Sequence, residues 1–143
     1  NNASAVALVI NQPPSITTNA GATFDEGSTD NVVGQSVLET SDTDNTPDEL
    51  TYTLTAVPVN GTLSKSGTEL VLSYTFTQAD IITYDHDGSE TLADSFDFDV
   101  VDDALEGFTG QTFSIIVNPI NDPPALVTIS GTFDEGCRIR GQL

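Results

Sequence analysis

Basic residues, cysteine and tryptophan are scarce or missing in this sequence. Three Lys and Arg stand against 22 Asp and Glu, so the formal net charge is -19 over 143 residues. So acidic a chain repels phosphate backbones and anionic headgroups, which excludes nucleic acids and membrane surfaces as partners. One cysteine cannot form a disulfide within the chain, and a single histidine makes a zinc site improbable. Two explanations remain for the acidity: oxygen-ligated metal cations, or solubility alone.

Long apolar runs and sustained helical periodicity are absent too, which excludes membrane insertion and a helical fold. Residues 50–57 alternate apolar side chains with Thr, and Phe96, Phe98 and Val100 share one face of a second alternating segment. Phe113, Ile115 and Val117 mark a third. Weaker strands are predicted at 16–24, 36–39, 69–72 and 82–84. About seven short strands predict an all-β fold, a seven-stranded antiparallel Greek-key β-sandwich.

Two local signals predict the connections between strands. Asn60-Gly61 predicts a tight β-hairpin, because both residue types tolerate positive φ. Residues 77–81 predict one helical turn with Thr77 as its N-cap.

A repeated motif predicts the domain organisation. Ile-Asn-Gln-Pro-Pro at 10–14 returns as Ile-Asn-Asp-Pro-Pro at 120–124, and Phe-Asp-Glu-Gly at 24–27 returns at 133–136. The two offsets, 110 and 109 residues, agree closely, which indicates tandem modules joined by stiff Pro-Pro links. We expect four segments: the last strand of a preceding repeat (1–12), a complete repeat (13–122), the first strand of a following repeat (123–136) and a non-native tail (137–143).

The acidic residues gather in loops and at predicted strand ends. Calcium takes six to eight oxygen ligands and tolerates irregular geometry, and this sequence supplies such ligands. A local EF-hand loop starting at Asp42 fails, because Pro47 occupies the position that requires glycine. Any calcium site must therefore combine distant loops. Candidate acids are Glu26, Asp42, Asp44, Asp85, Asp87, Asp94, Asp102, Asp103 and Asp122.

Several segments in order carry a family resemblance. They are Asp-Thr-Asp at 42–44, Pro-Val-Asn-Gly-Thr-Leu at 58–63, Phe-Thr-Gln-Ala-Asp-Ile at 76–81, Tyr-Asp-His-Asp-Gly-Ser-Glu at 84–90 and Asn-Asp-Pro-Pro at 121–124. Together they resemble the cadherin-like repeat of the chondroitin sulfate proteoglycan type, which also occurs in arrays in bacterial surface adhesins. The likeness covers nearly all of 13–124 and implies a cadherin/immunoglobulin-like sandwich.

The resemblance also implies Ca2+ at the module junctions. By this analogy Glu26, Asp94 and Asp102 join Asn121 and Asp122 at the downstream link, whereas Asp42 and Asp44 face the upstream link. Asp85, Asp87 and Asp103 are further candidates. Gln12 stands where the downstream link has Asp122, so the upstream site is expected to have one carboxylate fewer.

Three functions remain open. The first is a calcium-stiffened structural module of an extracellular or cell-surface adhesin, with neighbouring repeats of the same chain as partners and the isolated fragment monomeric. The second is a module that binds a surface glycan or a protein, for which exposed Tyr74 or Phe108 would be needed. The third, a hydrolase using paired carboxylates, is disfavoured because a sandwich filled by its own core leaves little room for an active site.

Overall fold

The computed structural model describes residue 8 and residues 10–126. Eleven strands and one 3₁₀ helix, Pro47–Glu49, occur in this range. The strands are β1 (Ser15–Asn19), β2 (Ala22–Asp25), β3 (Asn31–Val33), β4 (Leu38–Ser41), β5 (Thr51–Ala56), β6 (Gly61–Lys65), β7 (Thr68–Glu69), β8 (Thr75–Thr77), β9 (Ile82–His86), β10 (Ala93–Val101) and β11 (Gly107–Asn118).

The strands form two main sheets and a small ribbon. One sheet has the order β2-β11-β10-β5-β8, the other has the order β3-β9-β6-β7, and β1 pairs with β4. All pairings are antiparallel except that of β2 with β11, which is parallel. The predicted all-β sandwich is confirmed.

The core follows from alternation along the strands. In β10, Phe96, Phe98 and Val100 are buried, and Phe113 stacks on Phe96 from the neighbouring β11. Tyr52 and Tyr84 add large buried rings from the two facing sheets. A sandwich core of this kind is typical of strands that bury every second side chain.

The predicted single strand at 16–24 is wrong, because the chain changes sheets there. β1 pairs with β4, whereas β2 pairs with β11. Gly21 lies between them at φ +70°, and a Cβ at this position would stand 2.7 Å from the carbonyl oxygen of Ser114. Glycine therefore permits both the left-handed backbone and the close approach to β11.

The predicted hairpin at Asn60-Gly61 is also wrong. β5 and β6 lie in different sheets, so 57–60 is a crossover between the sheets. Gly61 is required for close packing, since a Cβ there would lie 2.5 Å from the Tyr84 ring. The tight hairpin joins β6 to β7, where Ser66 and Gly67 both have positive φ.

The predicted helical turn at 77–81 is a strand end followed by a turn. Thr77 closes β8, and the backbone N–H of Asp80 donates to the Thr77 carbonyl over 3.0 Å. The Asp80 carboxylate accepts a hydrogen bond from the Thr77 N–H at 2.7 Å, so Asp80, not Thr77, supplies the capping side chain.

The predicted domain boundaries remain predictions. Most of 1–12 and 123–136 and the whole of 137–143 lie outside the described residues. Among the residues that are described, no helix has the length and apolar character needed to cross a bilayer.

Candidate metal sites at the two ends of the sandwich

β10 and β11 run the length of the sandwich, and this separates the predicted ligands into two groups. Asp94 lies near the start of β10 and Asp102 just past its end. Eight residues of extended strand span about 26 Å at 3.3 Å per residue. The predicted placement of Asp94 and Asp102 at one junction is therefore wrong. Asp102 lies at the amino-terminal end with Asn11, whereas Asp94 lies at the carboxy-terminal end.

At the carboxy-terminal end, the register between β2 and β11 places Glu26 beside the outgoing link. Asp25 pairs with Asn118, and the N–H of Glu26 continues this ladder by donating to the Asn118 carbonyl at 2.9 Å. The N–H of Ile120 donates to Glu26 Oε2 at 3.0 Å. Glu26, the first residue after the parallel ladder, therefore holds the outgoing link through its carboxylate.

Glu26, Glu90 and Asp122 form a convergent carboxylate group. One oxygen of each lies within 4.8 Å of the others, and no other group of three potential metal ligands in the described part of the chain converges so closely. Glu26 is half-buried, while Glu90 and Asp122 are exposed. Sequence reasoning paired Glu26 with Asp122 but did not include Glu90. Asn121 is exposed in the same link.

His86 holds the two loops that carry Glu26 and Glu90. Its buried ring accepts hydrogen bonds at Nδ1 from the N–H groups of Gly27 and Gly88, each at 3.1 Å. Nε2 lies 3.1 Å from the Thr91 hydroxyl. Because Nδ1 acts as an acceptor, Nε2 carries the ring proton. His86 therefore fixes the spacing of the loops without itself lying among the carboxylates.

Asp94 lies at the same end but is engaged differently. Its carboxylate accepts hydrogen bonds from the N–H groups of Val59, Asn60 and Ser95 at 2.9–3.0 Å. The buried Tyr84 hydroxyl donates a fourth at 2.9 Å, and burial, followed by the bond to Asp94, raises the pKa of Tyr84. Asp94 thus anchors the 57–60 crossover.

Asp85 and Asp87 stabilise neighbouring turns. Asp85 Oδ1 accepts from the Asp30 N–H at 2.6 Å. Asp87 Oδ1 accepts from the Ser89 N–H at 2.9 Å, and the hydroxyl and N–H of Ser89 lower the pKa of Asp87. Neither belongs to the convergent group.

At the amino-terminal end, the incoming link is tied to acids in two places. Asn11 Nδ2 donates to Asp102 Oδ2 at 2.7 Å and to Glu106 Oε2 at 3.1 Å. The N–H of Gln12 donates to Asp44 Oδ2 at 3.1 Å. Asp102 is 2% exposed, so one predicted ligand is buried at this junction.

Hydrogen bonds keep these acids ionised. Desolvation raises the pKa of Asp102, but bonds from Asn11 and from the Glu106 N–H outweigh it, and the pKa lies below its ordinary value. The Thr43 hydroxyl, with further donors, lowers the pKa of Asp44. At neutral pH both groups offer anionic oxygens.

Two buried oxygens of residues 42–45 have no hydrogen-bond donor among the described residues. Asp42 Oδ1 accepts the N–H groups of Asp44 and Asn45, at 2.8 and 3.1 Å, but Asp42 Oδ2 is buried without a partner among the described residues. Asn45 Oδ1 is also buried without a partner among the described residues, while Asn45 Nδ2 donates to Asp103 Oδ1 at 2.7 Å. An orphaned buried acceptor costs free energy unless a cation or a donor reaches it.

Both ends therefore offer oxygen donors of the kind that a hard divalent cation binds. Carboxylates and amide oxygens from several loops suit calcium, whose coordination geometry is flexible. The orphaned oxygens of Asp42 and Asn45 fit such an ion at the amino-terminal end. Asn11, Asn45, Glu90 and Glu106 were not predicted as part of either group. Two of them had a sequence signal: Asn11 matches Asn121 in the repeated motif, and Glu90 ends the Tyr-Asp-His-Asp-Gly-Ser-Glu segment at 84–90.

The sequence of residues 14–117 matches the cadherin-like family, and the chain belongs to that family. The fold and the match together define a cadherin-like module.

Relatives of the chain are extracellular matrix proteins. It is 33% identical over 132 residues to the human extracellular matrix organizing protein FRAS1, covering 88% of this chain and 3% of the relative. It is 35% identical over 105 residues to the human FRAS1-related extracellular matrix protein 2 (69% and 3%). It is 40% identical over 67 residues to extracellular matrix protein 3 of Lytechinus variegatus (46% and 2%). No solved structure matches.

These relatives confirm the predicted extracellular location. They are structural proteins of the matrix, and the family is not an enzyme family. The chain spans about 3% of the length of the human relatives.

Proposed function

We propose that the chain is a calcium-binding structural module that stiffens a large extracellular adhesion-type protein by fixing the links to its neighbouring repeats. The observation that carries the proposal is the direct attachment of each link to an acidic group. Asn11 is bonded to Asp102 at one end, and the N–H of Ile120 to Glu26 at the other.

Electrostatics supports a bound cation. Carboxylate oxygens of Glu26, Glu90 and Asp122 within 4.8 Å repel each other, and Lys65, the one Lys or Arg among the described residues, is paired with Asp80. A divalent cation would turn this repulsion into attraction. The same ion would bind Asp122 of the link to two loops of the sandwich, which restricts the link.

The repeated motif supports tandem use of the two ends. Asn121 occupies the motif position of Asn11. We infer that Asn121 contacts the Asp102 equivalent of a following module, as Asn11 contacts Asp102 here. Each junction would then combine Glu26, Glu90 and Asp122 of one module with the counterparts of Asp42, Asp44 and Asp102 in the next.

The finer assignments also belong to this proposal. We place the module in the chondroitin sulfate proteoglycan type of cadherin-like repeat, on the motifs quoted above. An array in a bacterial surface adhesin is an alternative setting for such a repeat. A role in catalysis finds no support in the family. For glycan binding, Phe108 packs against the core, so of these two candidates only Tyr74 is an exposed aromatic side chain.

Thermal unfolding of the 143-residue chain in EDTA, calcium and magnesium tests the proposal. Extracellular calcium modules bind with dissociation constants of roughly 0.1–1 mM. At about 10 mM calcium, each site would add about 1.4–2.7 kcal/mol to the free energy of unfolding. Magnesium should add less, because it demands tighter octahedral geometry.

Variants separate the two ends. Glu26→Gln should remove the calcium response of the carboxy-terminal end and Asp42→Asn that of the amino-terminal end. Glu69→Gln is the matched control, because Glu69 is an exposed acid on β7 outside both groups. Equal responses to calcium and magnesium, or a Glu26→Gln, Asp42→Asn double variant that responds like the wild type, would contradict calcium binding at these positions.

A further inference from the structure

A cavity of about 150 Å³ lies on the open side of the sandwich. β8 is an edge strand of one sheet and β3 an edge strand of the other, and the cavity lies between them. Its walls include Leu38, Tyr52, Phe76, Ile82 and Phe96. The cavity extends from the core to the surface. The wall residues just named belong to the core cluster, whereas Val32 and Ile81, which also line the cavity, are 56% and 68% exposed.

One polar side chain in the lining is buried with only one end of its amide bonded to the protein. Gln78 is 8% exposed, and its Oε1 accepts hydrogen bonds from the Thr40 N–H at 2.9 Å and from the Tyr52 hydroxyl. Burial raises the pKa of Tyr52 to about 12, so this hydroxyl remains a donor at neutral pH. Two donors on Oε1 fix the amide orientation.

The Gln78 amide nitrogen therefore points away from both donors. Among the described residues it has no hydrogen-bond acceptor, and it is not one of the fully enclosed unpartnered atoms, which are Asp42 Oδ2 and Asn45 Oδ1. Gln78 is one of the residues that line the cavity. Because no protein acceptor engages this N–H, it is free to donate to the oxygen of a molecule that enters the cavity.

We propose that this cavity binds a small, neutral, ring-sized molecule that carries one hydrogen-bond acceptor, which the Gln78 amide nitrogen recognises. The volume of the cavity sets the size of the ligand, since an apolar cavity of about 150 Å³ accommodates a benzene ring. The largely apolar walls favour a molecule without formal charge, because burying an unpaired charge of either sign is costly.

Two probes of the same shape test the two parts of the proposal. Acetophenone has a ring and a carbonyl oxygen, and α-methylstyrene replaces that oxygen with a methylene. Both should bind saturably to the 143-residue chain, with dissociation constants of about 1 mM or below for ligands of this size. Only acetophenone should shift the Gln78 side-chain N–H resonances downfield in ¹H–¹⁵N spectra.

A variant at the rim tests the location. Ala79 is exposed and lines the cavity, so Ala79→Phe should cover the opening without disturbing the core. We expect it to weaken binding of both probes at least tenfold. Ala125→Phe, at an exposed position of the link, is the matched control and should leave binding within twofold.

Three results would overturn the proposal. They are no saturable binding of either probe up to 10 mM, binding that persists unchanged in Ala79→Phe, and binding of acetophenone without a shift of the Gln78 amide. The first would show that the cavity holds only water.

Discussion

His86 shows how one buried side chain can position a site that it does not enter. Its Nδ1 accepts two backbone N–H groups, from Gly27 and Gly88, next to the loops of Glu26 and Glu90. Replacement by Phe keeps an aromatic ring, although a larger one, and removes the acceptor. We expect His86→Phe to lower the free energy of unfolding by about 2–3 kcal/mol, because buried donors lose their partner. Urea unfolding measures this.

The matched variant at this position is His86→Asn, whose amide oxygen lies close to the place of Nδ1. It should recover part of the stability and more of the calcium response than His86→Phe does. If the Phe variant were as stable as the wild type, the two hydrogen bonds would not hold the loops.

Lys65 and Asp80 give the module a pH-dependent contact. Their N–O distance is 2.7 Å. Desolvation raises the pKa of Asp80, but Lys65 and the Thr77 N–H outweigh it, so the pKa lies below its ordinary value. The contact therefore stabilises the protein above the unfolded pKa of about 3.9, and this contribution is lost as the pH falls through the lower folded value.

We expect Lys65→Met to cost about 0.5–1 kcal/mol at pH 7, a modest value because both side chains are partly exposed. The difference from the wild type should shrink toward zero as the pH falls below about 3. Urea unfolding at a series of pH values gives both numbers. A difference independent of pH would mean that Lys65 acts through packing alone.

Among the elements, β6 depends on the absence of a side chain at its first residue. A Cβ on Gly61 would lie 2.5 Å from both the Asp85 carbonyl oxygen and the Tyr84 ring. Gly61→Ala should therefore displace β6 from β9 and cost about 1–3 kcal/mol. In Gly34→Ala, the matched control, the added methyl meets only Val32 Cγ1 at 3.5 Å.

Thermal unfolding of the two variants separates packing from backbone entropy. Gly34→Ala should change the free energy of unfolding by less than about 1 kcal/mol. Similar losses in both variants would show that the close approach to Tyr84 is not what requires glycine at 61.

The elements that sequence predicts well are those with local signals. β5, β10 and β11 alternate apolar and polar side chains over six or more residues, and all three were predicted. The sheet change at Gly21 and the crossover at Asn60-Gly61 were not, because both depend on which distant strand becomes the neighbour. The residues of a turn indicate which backbone angles the turn adopts. They do not indicate which sheet the following strand joins.

The same limit applies to the candidate sites. Glu26 and Asp122 could be paired from the repeat and the family resemblance, and their carboxylates do converge. Glu90 joins them through the His86–Gly27 contact, which links residues 59 apart in sequence. The predicted placement of Asp102 beside Asp94 fails because β10 carries the chain from one end of the sandwich to the other between these two residues.

For the whole molecule, we expect the net charge to have the largest influence on stability. A formal net charge of -19 on one small sandwich is self-repelling at low ionic strength. Raising sodium chloride from 10 to 150 mM shortens the screening length from about 30 to about 8 Å. We expect the melting temperature to rise over this range, and calcium at constant ionic strength to raise it further.

The Glu26→Gln, Asp42→Asn double variant distinguishes screening from site binding. It should keep the sodium chloride response and lose the additional calcium response. If calcium and magnesium raised the melting temperature equally at the same ionic strength, both ions would act only by screening the charge.

The parallel pairing of β2 with β11 has a consequence for how the module resists being pulled. The incoming link leads into β1, which continues into β2, and β11 ends where the outgoing link leaves. Tension along the chain pulls β2 and β11 in opposite directions along their common axis. The ladder from Ala22–Ile115 to Asp25–Asn118 is then loaded in shear, with its hydrogen bonds strained together and not one after another. Such a module would behave as a mechanical clamp, able to transmit load between its neighbours while its core stays closed.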